Sequence, residues 1–202
     1  MKIFLIRHSE SQDDLINCYG GTADWDLTQA GAKKVEQFRP TFEGFGVQKI
    51  YASPLRRAYK TAEVMNKGLG LPLTRVFELH ETSQFGYMAG VERELAKELF
   101  GWLLERPEGQ GIGYYNRKSF PGGEHPDDLD KRVAGAVGSV LENAEGLERI
   151  AIVTHGGVIR SFFWNLLKDK RKLTDIGDVA FAEIDFSDGE FRLVTMHGIM
   201  GE

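Results

Sequence analysis

Two histidines stand where they could do chemistry. Ile3-Phe4-Leu5-Ile6 leads into Arg7-His8-Ser9-Glu10, and Ile150-Ala151-Ile152-Val153 leads into Thr154-His155-Gly156-Gly157. Short apolar runs that end this way read as strands buried on both faces of a parallel sheet. Ligands of open α/β sheets bind beyond the carboxyl ends of such strands. If the two runs are neighbours, two imidazoles and the Arg7 guanidinium meet at one sheet edge. Either histidine alone has a bland alternative, satisfying a strand-end hydrogen bond. The pair, with an arginine beside one and a glycine pair after the other, makes that bland reading a poor one and points to a functional site.

Two further groups gain meaning from that company. The run Lys49-Ile50-Tyr51-Ala52 reads as another strand. Ser53 can cap a helix from Pro54 to about 67, with Pro54 in its first position. On that helix Arg57 and Thr61 share a face, and the small Ala58 and Ala62 beside them allow close packing that aims Arg57 at the strand ends. Arg56 points about 100° away and reads as a solvated surface arginine. Glu81, in Leu79-His80-Glu81, leaves a strand expected over Thr74 to Phe77 and enters a loop holding Gly86 and Gly90. Alone it would be an ordinary surface carboxylate.

The remaining pattern supplies the scaffold. Thr28 can cap a helix carrying Ala32, Val35 and Phe38 on one side. Leu129, Val133, Ala136, Val137, Val140 and Leu141 mark one buried helical face. A helix from about 157 to 168 follows the second histidine. Phe181–Phe186 and Phe191–Thr195 flank Ser187-Asp188-Gly189 as a hairpin. Strands alternating with helices imply an α/β sandwich with a mostly parallel sheet. The stretch 84–124 breaks the alternation, with a helix near 91–105 and then Gly109, Gly111, Gly113, Pro121, Gly122 and Gly123. A long irregular stretch of this kind reads as a lid inserted in a single domain over 1–202. Its Tyr87, Trp102, Tyr114, Tyr115, Arg117 and Lys118 could contact substrate or form the insertion's own core.

Composition excludes several classes. The chain has 202 residues and a net charge of −5, which argues against general nucleic-acid binding. Local arginines can still hold a small anion against so weak a global field. With 42% hydrophobic and 27% charged residues, it has the make-up of a globular domain. One cysteine, Cys18, rules out an internal disulfide and a Cys-pair zinc site. The five histidines are scattered without metal-ligand spacing, so no metal or other cofactor is expected. No apolar run is long enough to span a membrane, and the one at the N-terminus is too short for a signal peptide. A cytoplasmic location is the expectation.

The ordered motifs resemble the histidine phosphatase superfamily, the phosphoglycerate-mutase-like fold. They are Leu5-Ile6-Arg7-His8-Ser9-Glu10, Gly21-Thr22-Ala23-Asp24 with Leu27-Thr28 and Gly31, and Ser53 through Ala62. Leu79-His80-Glu81, Pro121-Gly122-Gly123-Glu124 and Val153 through Arg160 follow, in the family's order over nearly the whole chain. The resemblance implies a three-layer α/β/α sandwich with a mostly parallel central sheet. It implies His8 as the nucleophile that forms a phosphohistidine, and Arg7, Arg57 and His155 as donors to the phosphoryl oxygens. Backbone N–H groups near Gly156 would add an anion-binding helix end. Glu81 would protonate the leaving alkoxide and then deprotonate the attacking water.

Some positions depart from the family pattern. Ser9 stands where Gly or Ala is frequent. Asp14 occupies the place where phosphoglycerate mutases put a phosphate-contacting Asn, so that loop either turns away or faces another part of the substrate. Asn17 is out of register. His125 is read as lying near a helix start, His197 near the tail, and Cys18 as an unreactive thiol. His80 could touch substrate. Glu124 is read as a helix-start carboxylate, with the outer shell of the site as its alternative.

The function implied is a metal-independent phosphomonoesterase acting on a small phosphorylated metabolite. The alternatives are a phosphoglycerate mutase and a non-catalytic phospho-ligand binder. The binder is disfavoured because every chemical role is filled. A protein-phosphohistidine phosphatase is disfavoured by the insertion at 84–124. The mutases it resembles carry Arg-His-Tyr-Gly after the acid and extra chain that seals the pocket. Here Thr82-Ser83-Gln84-Phe85-Gly86 follows Glu81, and the sequence runs only seven residues past Thr195. Hydrolysis is therefore expected.

Overall fold

A computed structural model of the protein describes residues 1–104 and 113–202. Its strands are β1 (Lys2–Arg7), β2 (Lys49–Ala52), β3 (Leu73–Arg75), β4 (Arg149–Thr154), β5 (Leu173–Ser187) and β6 (Glu190–Gly201). Its α-helices are α1 (Gln12–Leu15), α2 (Gln29–Gly44), α3 (Arg56–Asn66), α4 (Arg93–Leu104), α5 (Pro126–Asn143) and α6 (Gly156–Ser161). The sheet runs β3-β2-β4-β1-β5-β6. The first four positions are parallel, and β5 and β6 close one side as an antiparallel hairpin.

Alternation along the strands builds two cores. Ile3, Leu5, Tyr51, Ile150 and Ile152 face Leu129, Val133, Val137 and Val140 of α5 and Val158 and Ile159 of α6. Phe4, Ile6, Ile50, Ala52, Ala151 and Val153 face Val35 and Phe42 of α2 and Ala58, Ala62 and Met65 of α3. The result is the three-layer α/β/α sandwich. Burying each large side chain is worth about 1.5–3 kcal/mol. A one-residue slip would turn every one of them to the wrong face, so the register is fixed. Within 84–124, Met88, Ala96 and Phe120 form a small separate cluster with Phe85, Val91 and Phe100. Among the described residues no helix is long and apolar enough to cross a membrane.

Three local expectations change. Ser53 does not cap α3. Its N–H still extends the sheet by donating to the Val153 carbonyl at 2.9 Å, so the helix begins later, with Leu55 as the N-cap. The third strand stops at Arg75, and Phe77–Leu79 forms a 3₁₀ turn that leaves Phe77 69% exposed and sends Leu79 into the core. The helix after His155 is α-helical only to Ser161. It widens to a π turn over Phe162–Leu166, which gives three consecutive aromatic rings room against the core. Gly109 and Gly111 of the expected lid lie outside the described residues, as does the Trp102 side chain.

Candidate active site

Neighbouring parallel strands bring the two histidines together. Arg7 pairs with Thr154 in the register of β1 on β4, and the His8 N–H continues the ladder by donating to the Thr154 carbonyl at 2.9 Å. The His8 ring is fixed on both sides. Its Nδ1 lies 2.7 Å from the Ser9 carbonyl oxygen, a contact only an N–H can make, so the lone pair of the neutral ring is on Nε2. Arg57 Nε donates to that Nε2 at 3.2 Å. Burial first, then the Arg7 and Arg57 charges, push the His8 pKa well below the ordinary 6.5. The ring is held neutral, the form a nucleophile needs.

Arg57 is 2% exposed and anchors more than the histidine. Nη1 donates to the Ala23 carbonyl and Nη2 to the Gly21 carbonyl, each at 2.8 Å. The Gly21–Asp24 motif is thus a loop folded onto this guanidinium. Thr61 joins the same cluster, accepting from the Ser9 N–H at 3.2 Å and donating to the Arg57 carbonyl at 2.7 Å. Arg56 is an exposed surface residue paired with Asp24 at 3.5 Å.

Arg7 is steered from β5. Its Nη1 donates to the Ile176 carbonyl at 2.9 Å and to Asp178 at 3.3 Å. Lys34 backs Asp178 at 2.7 Å and Glu10 at 3.0 Å. The pairing of β5 with β6 breaks register between Ile176 and Phe181, where Val179 takes a φ of +49°. That conformation is costly for a β-branched residue. The bulge turns Ile176 and Asp178 toward Arg7, and no sequence signal announced it.

His155 is fully buried, its ring centroid 5.0 Å from that of His8. Its Nε2 lies 2.7 Å from the Ser53 hydroxyl, which explains why that serine is not a helix cap. Its Nδ1 is buried without a hydrogen-bond partner among the described residues. Such an atom calls for an explanation in a folded protein. Burial, then Arg57, His8, Arg7 and His80, lower its pKa well below 6.5.

The Glu81 carboxylate accepts from the Gly157 N–H at 3.0 and 3.2 Å and from its neighbour Thr82 N–H at 2.8 Å. A Cβ at Gly157 would sit 2.4 Å from Glu81 Oε1, so glycine is required for this approach. The start of α6 was expected to offer its N–H groups to an anion. It spends the Gly157 N–H on Glu81 instead, while Gly156 lies on the wall of the site.

One cavity of about 270 Å³ collects Arg7, His8, Arg57, Glu81 and Gly156, with His155 packed behind them. Arg93 and Arg160 also line it, as do Asp13, Asp14 and Asp175. Arg160 lay within the Val153–Arg160 motif, but Arg93 stands in the insertion with no signal of its own. Asp14 accepts from the Ser11 N–H at 2.9 Å, capping α1, and faces the cavity rather than turning away. Asn17 contributes its carbonyl, not its side chain, to Arg93 N–H at 3.0 Å. Cys18 is buried on the same wall, and burial together with Asp13 pushes its thiol pKa up. That makes it a poor thiolate.

The other singled-out residues sort as follows. Glu124 is not a cap: both its oxygens accept from Arg132, at 2.7 and 2.8 Å. His125 takes the N-cap of α5, and His197 stacks on Phe181 at 4.8 Å. His80 turns Nδ1 to the Glu81 carbonyl at 2.8 Å and its ring to Phe77, and does not line the cavity. Tyr87 is 79% exposed, and Arg117 pairs with Asp127 and Asp130. Lys118 closes a backbone bridge with Gly113. Tyr114 and Tyr115 pack on the main core beside Trp164. Among the described residues no group of three or more His, Cys, Asp or Glu is placed to hold a metal.

A family model for the histidine phosphatase superfamily (branch 1) matches residues 3–198. A probable phosphoglycerate mutase of Salmonella typhi is 26% identical over 194 residues, 95% of this chain and 87% of that protein. Among solved structures, a mycobacterial glucosyl-3-phosphoglycerate phosphatase superposes with a TM-score of 0.81 at 21% identity, covering 95% of this chain and 96% of that one. The α-ribazole phosphatase of Shigella flexneri gives 0.79 at 21% identity, over 97% and 96% of the two chains. By the match over almost its full length, and by a site assembled from that family's motifs, the chain belongs to the histidine phosphatase superfamily.

Proposed function

We propose that the chain is a metal-independent phosphomonoesterase that hydrolyses a small phosphorylated metabolite through a phosphohistidine on His8. The observation that carries this reading is the fixed lone pair of His8 Nε2, in the cavity shared with the Glu81 carboxyl group and two arginines. Nε2 attacks phosphorus in line with the ester oxygen, forming the N–P bond as the P–O bond breaks. The Arg57 N–H released from Nε2 turns to a phosphoryl oxygen, and Arg7 supplies a second guanidinium. With the Ser53 hydroxyl donating to His155 Nε2, the ring hydrogen of His155 sits on its unpartnered Nδ1 and is on offer to the same group. Glu81 gives its proton to the departing alkoxide. It then takes one from the water that displaces phosphate from His8, which returns both groups to their starting state.

A phosphoglycerate mutase is the competing reading, since relatives from several Salmonella carry the name of a probable phosphoglycerate mutase. A mutase must keep water from its phosphohistidine while substrate reorients. The stretch after Glu81, Thr82 to Gly86, lacks the Arg-His-Tyr-Gly run of the mutases, and this favours hydrolysis. The described part of 84–124, with the small cluster of Met88, Ala96 and Phe120, serves in this reading as a cover over the site of a single domain. The deciding experiment supplies 3-phosphoglycerate with catalytic 2,3-bisphosphoglycerate. Phosphate release should dominate; sustained 2-phosphoglycerate formation above it would make the protein a mutase.

A further inference from the structure

A second cavity, of about 360 Å³, also borders Glu81. It shares Gly21, Glu81, Phe85 and Arg160 with the first and includes none of His8, Arg7 or Arg57. Its remaining wall is Thr82, Gln84, Gly157, Tyr114 and Tyr115. In-line attack from His8 puts the ester oxygen on the far side of phosphorus, where the acid must reach it. A space that touches the acid but not the nucleophile or the phosphate-facing arginines receives what leaves.

From this geometry we infer that the second cavity is a leaving-group subsite for a polyhydroxylated ring of about hexose size. The inference rests on the phosphatase reading and names its substrate class. The volume is at the small end for ligand pockets and fits one ring. Tyr114 spends its hydroxyl hydrogen on Asp130 at 2.7 Å, while Tyr115 accepts from the Leu173 N–H at 2.7 Å and keeps its own O–H to donate. Their rings, with Phe85, supply carbon surface to the cavity. The two tyrosine rings meet edge to face, at 5.3 Å and 82°, so they form no parallel slot for a planar base. Polar groups stand beside this apolar wall. The half-buried Gln84 side chain has both amide donors and its acceptor uncommitted among the described residues, and Arg160 is anchored through Nε on the Leu173 carbonyl at 3.3 Å. Aromatic wall for C–H faces and amide for hydroxyls is the chemistry of a sugar ring. Glu81 is the only carboxylate among the described residues of this wall.

The test measures equilibrium binding to His8→Ala, which keeps both arginines but cannot turn substrate over. Glucose 6-phosphate, glycerol 3-phosphate and adenosine 5′-monophosphate are the probes. The hexose phosphate should bind at least about tenfold tighter than the glycerol phosphate, the scale of one or two good hydrogen bonds. Adding Gln84→Trp, which fills the cavity, should erase that margin and leave the binding of inorganic phosphate, which has no leaving group to place there, unchanged. Adding the milder Gln84→Ala should reduce it. Equal binding of the two esters, or a margin that survives Gln84→Trp, overturns the subsite. Tighter binding of the nucleotide than of the hexose phosphate overturns the sugar class. The phosphatase reading fails separately, if the wild type releases phosphate from none of these esters.

Discussion

Arg132 holds Glu124 with two parallel hydrogen bonds, and its third nitrogen reaches back to the carbonyls of Glu78 and His80. The side chains are only 15% and 14% exposed. Helix α5, the Pro-Gly-Gly-Glu motif and the turn that carries Glu81 are tied at this point. A two-pronged pair of this kind fixes geometry as well as charge.

Breaking that tie should act through Glu81. Arg132→Met is expected to lower kcat on alkyl phosphates by up to about 10²-fold, the cost of a misplacement near 1 Å. Aryl phosphates leave as weaker bases and should lose less. KM should move little, and Arg132→Lys, which keeps charge but not the fork, should fall between. Equal losses on both ester types would show that the tie serves folding alone.

Glu81→Gln keeps the side chain's shape and its contact with the Gly157 N–H but cannot exchange a proton. Loss of a general acid is worth about 10²–10⁴-fold. Alkyl phosphates should show that loss, and p-nitrophenyl phosphate a smaller one. A leaving-group series plotted against alcohol pKa should steepen in the variant.

His8→Ala should abolish the covalent intermediate. Rapid acid-minimised quenching with ³²P-labelled substrate is expected to trap an alkali-stable, acid-labile phosphoprotein in the wild type and none in the variant. Label retained in His8→Ala would move the nucleophile to another residue.

Burial and the nearby guanidiniums hold His8 and His155 below 6.5 in the folded protein, while the unfolded chain returns both to that value. Below pH 6.5 the unfolded state therefore binds protons that the folded state does not, and stability must fall with falling pH. Above 6.5 both states are neutral and the two histidines contribute no slope. Urea midpoints should drop from pH 7 to pH 5, and by less in His155→Asn. The acid limb of kcat/KM should likewise lie below 6.5.

In the proposed mechanism charge on the phosphoryl group is met by Arg7 and Arg57, so dialysis against a chelator should leave the rate unchanged. A loss restored by a divalent metal would contradict the proposed mechanism.

Local pattern was enough for β1, β2 and β4, the Thr28 cap, the buried face of α5 and the turn of the hairpin about Asp188, because apolar periodicity and capping chemistry act over a few residues. The same runs placed His8 and His155 at strand ends, and the order of the motifs identified Arg7, Arg57, Glu81 and Gly156 as one set. What the residues could not express by themselves was reach. Ser53 looked like a cap because its neighbours are helical, yet its backbone belongs to the sheet and its hydroxyl to His155. Glu124 looked like a helix start, yet its partner is Arg132, eight residues on. Arg93 enters the cavity from an insertion whose path no periodicity describes, and the bulge at Val179 that aims Asp178 at Arg7 costs energy locally that only the assembled site can offset. Contacts between residues far apart in the chain are set by packing of whole elements, and tertiary structure alone decides them.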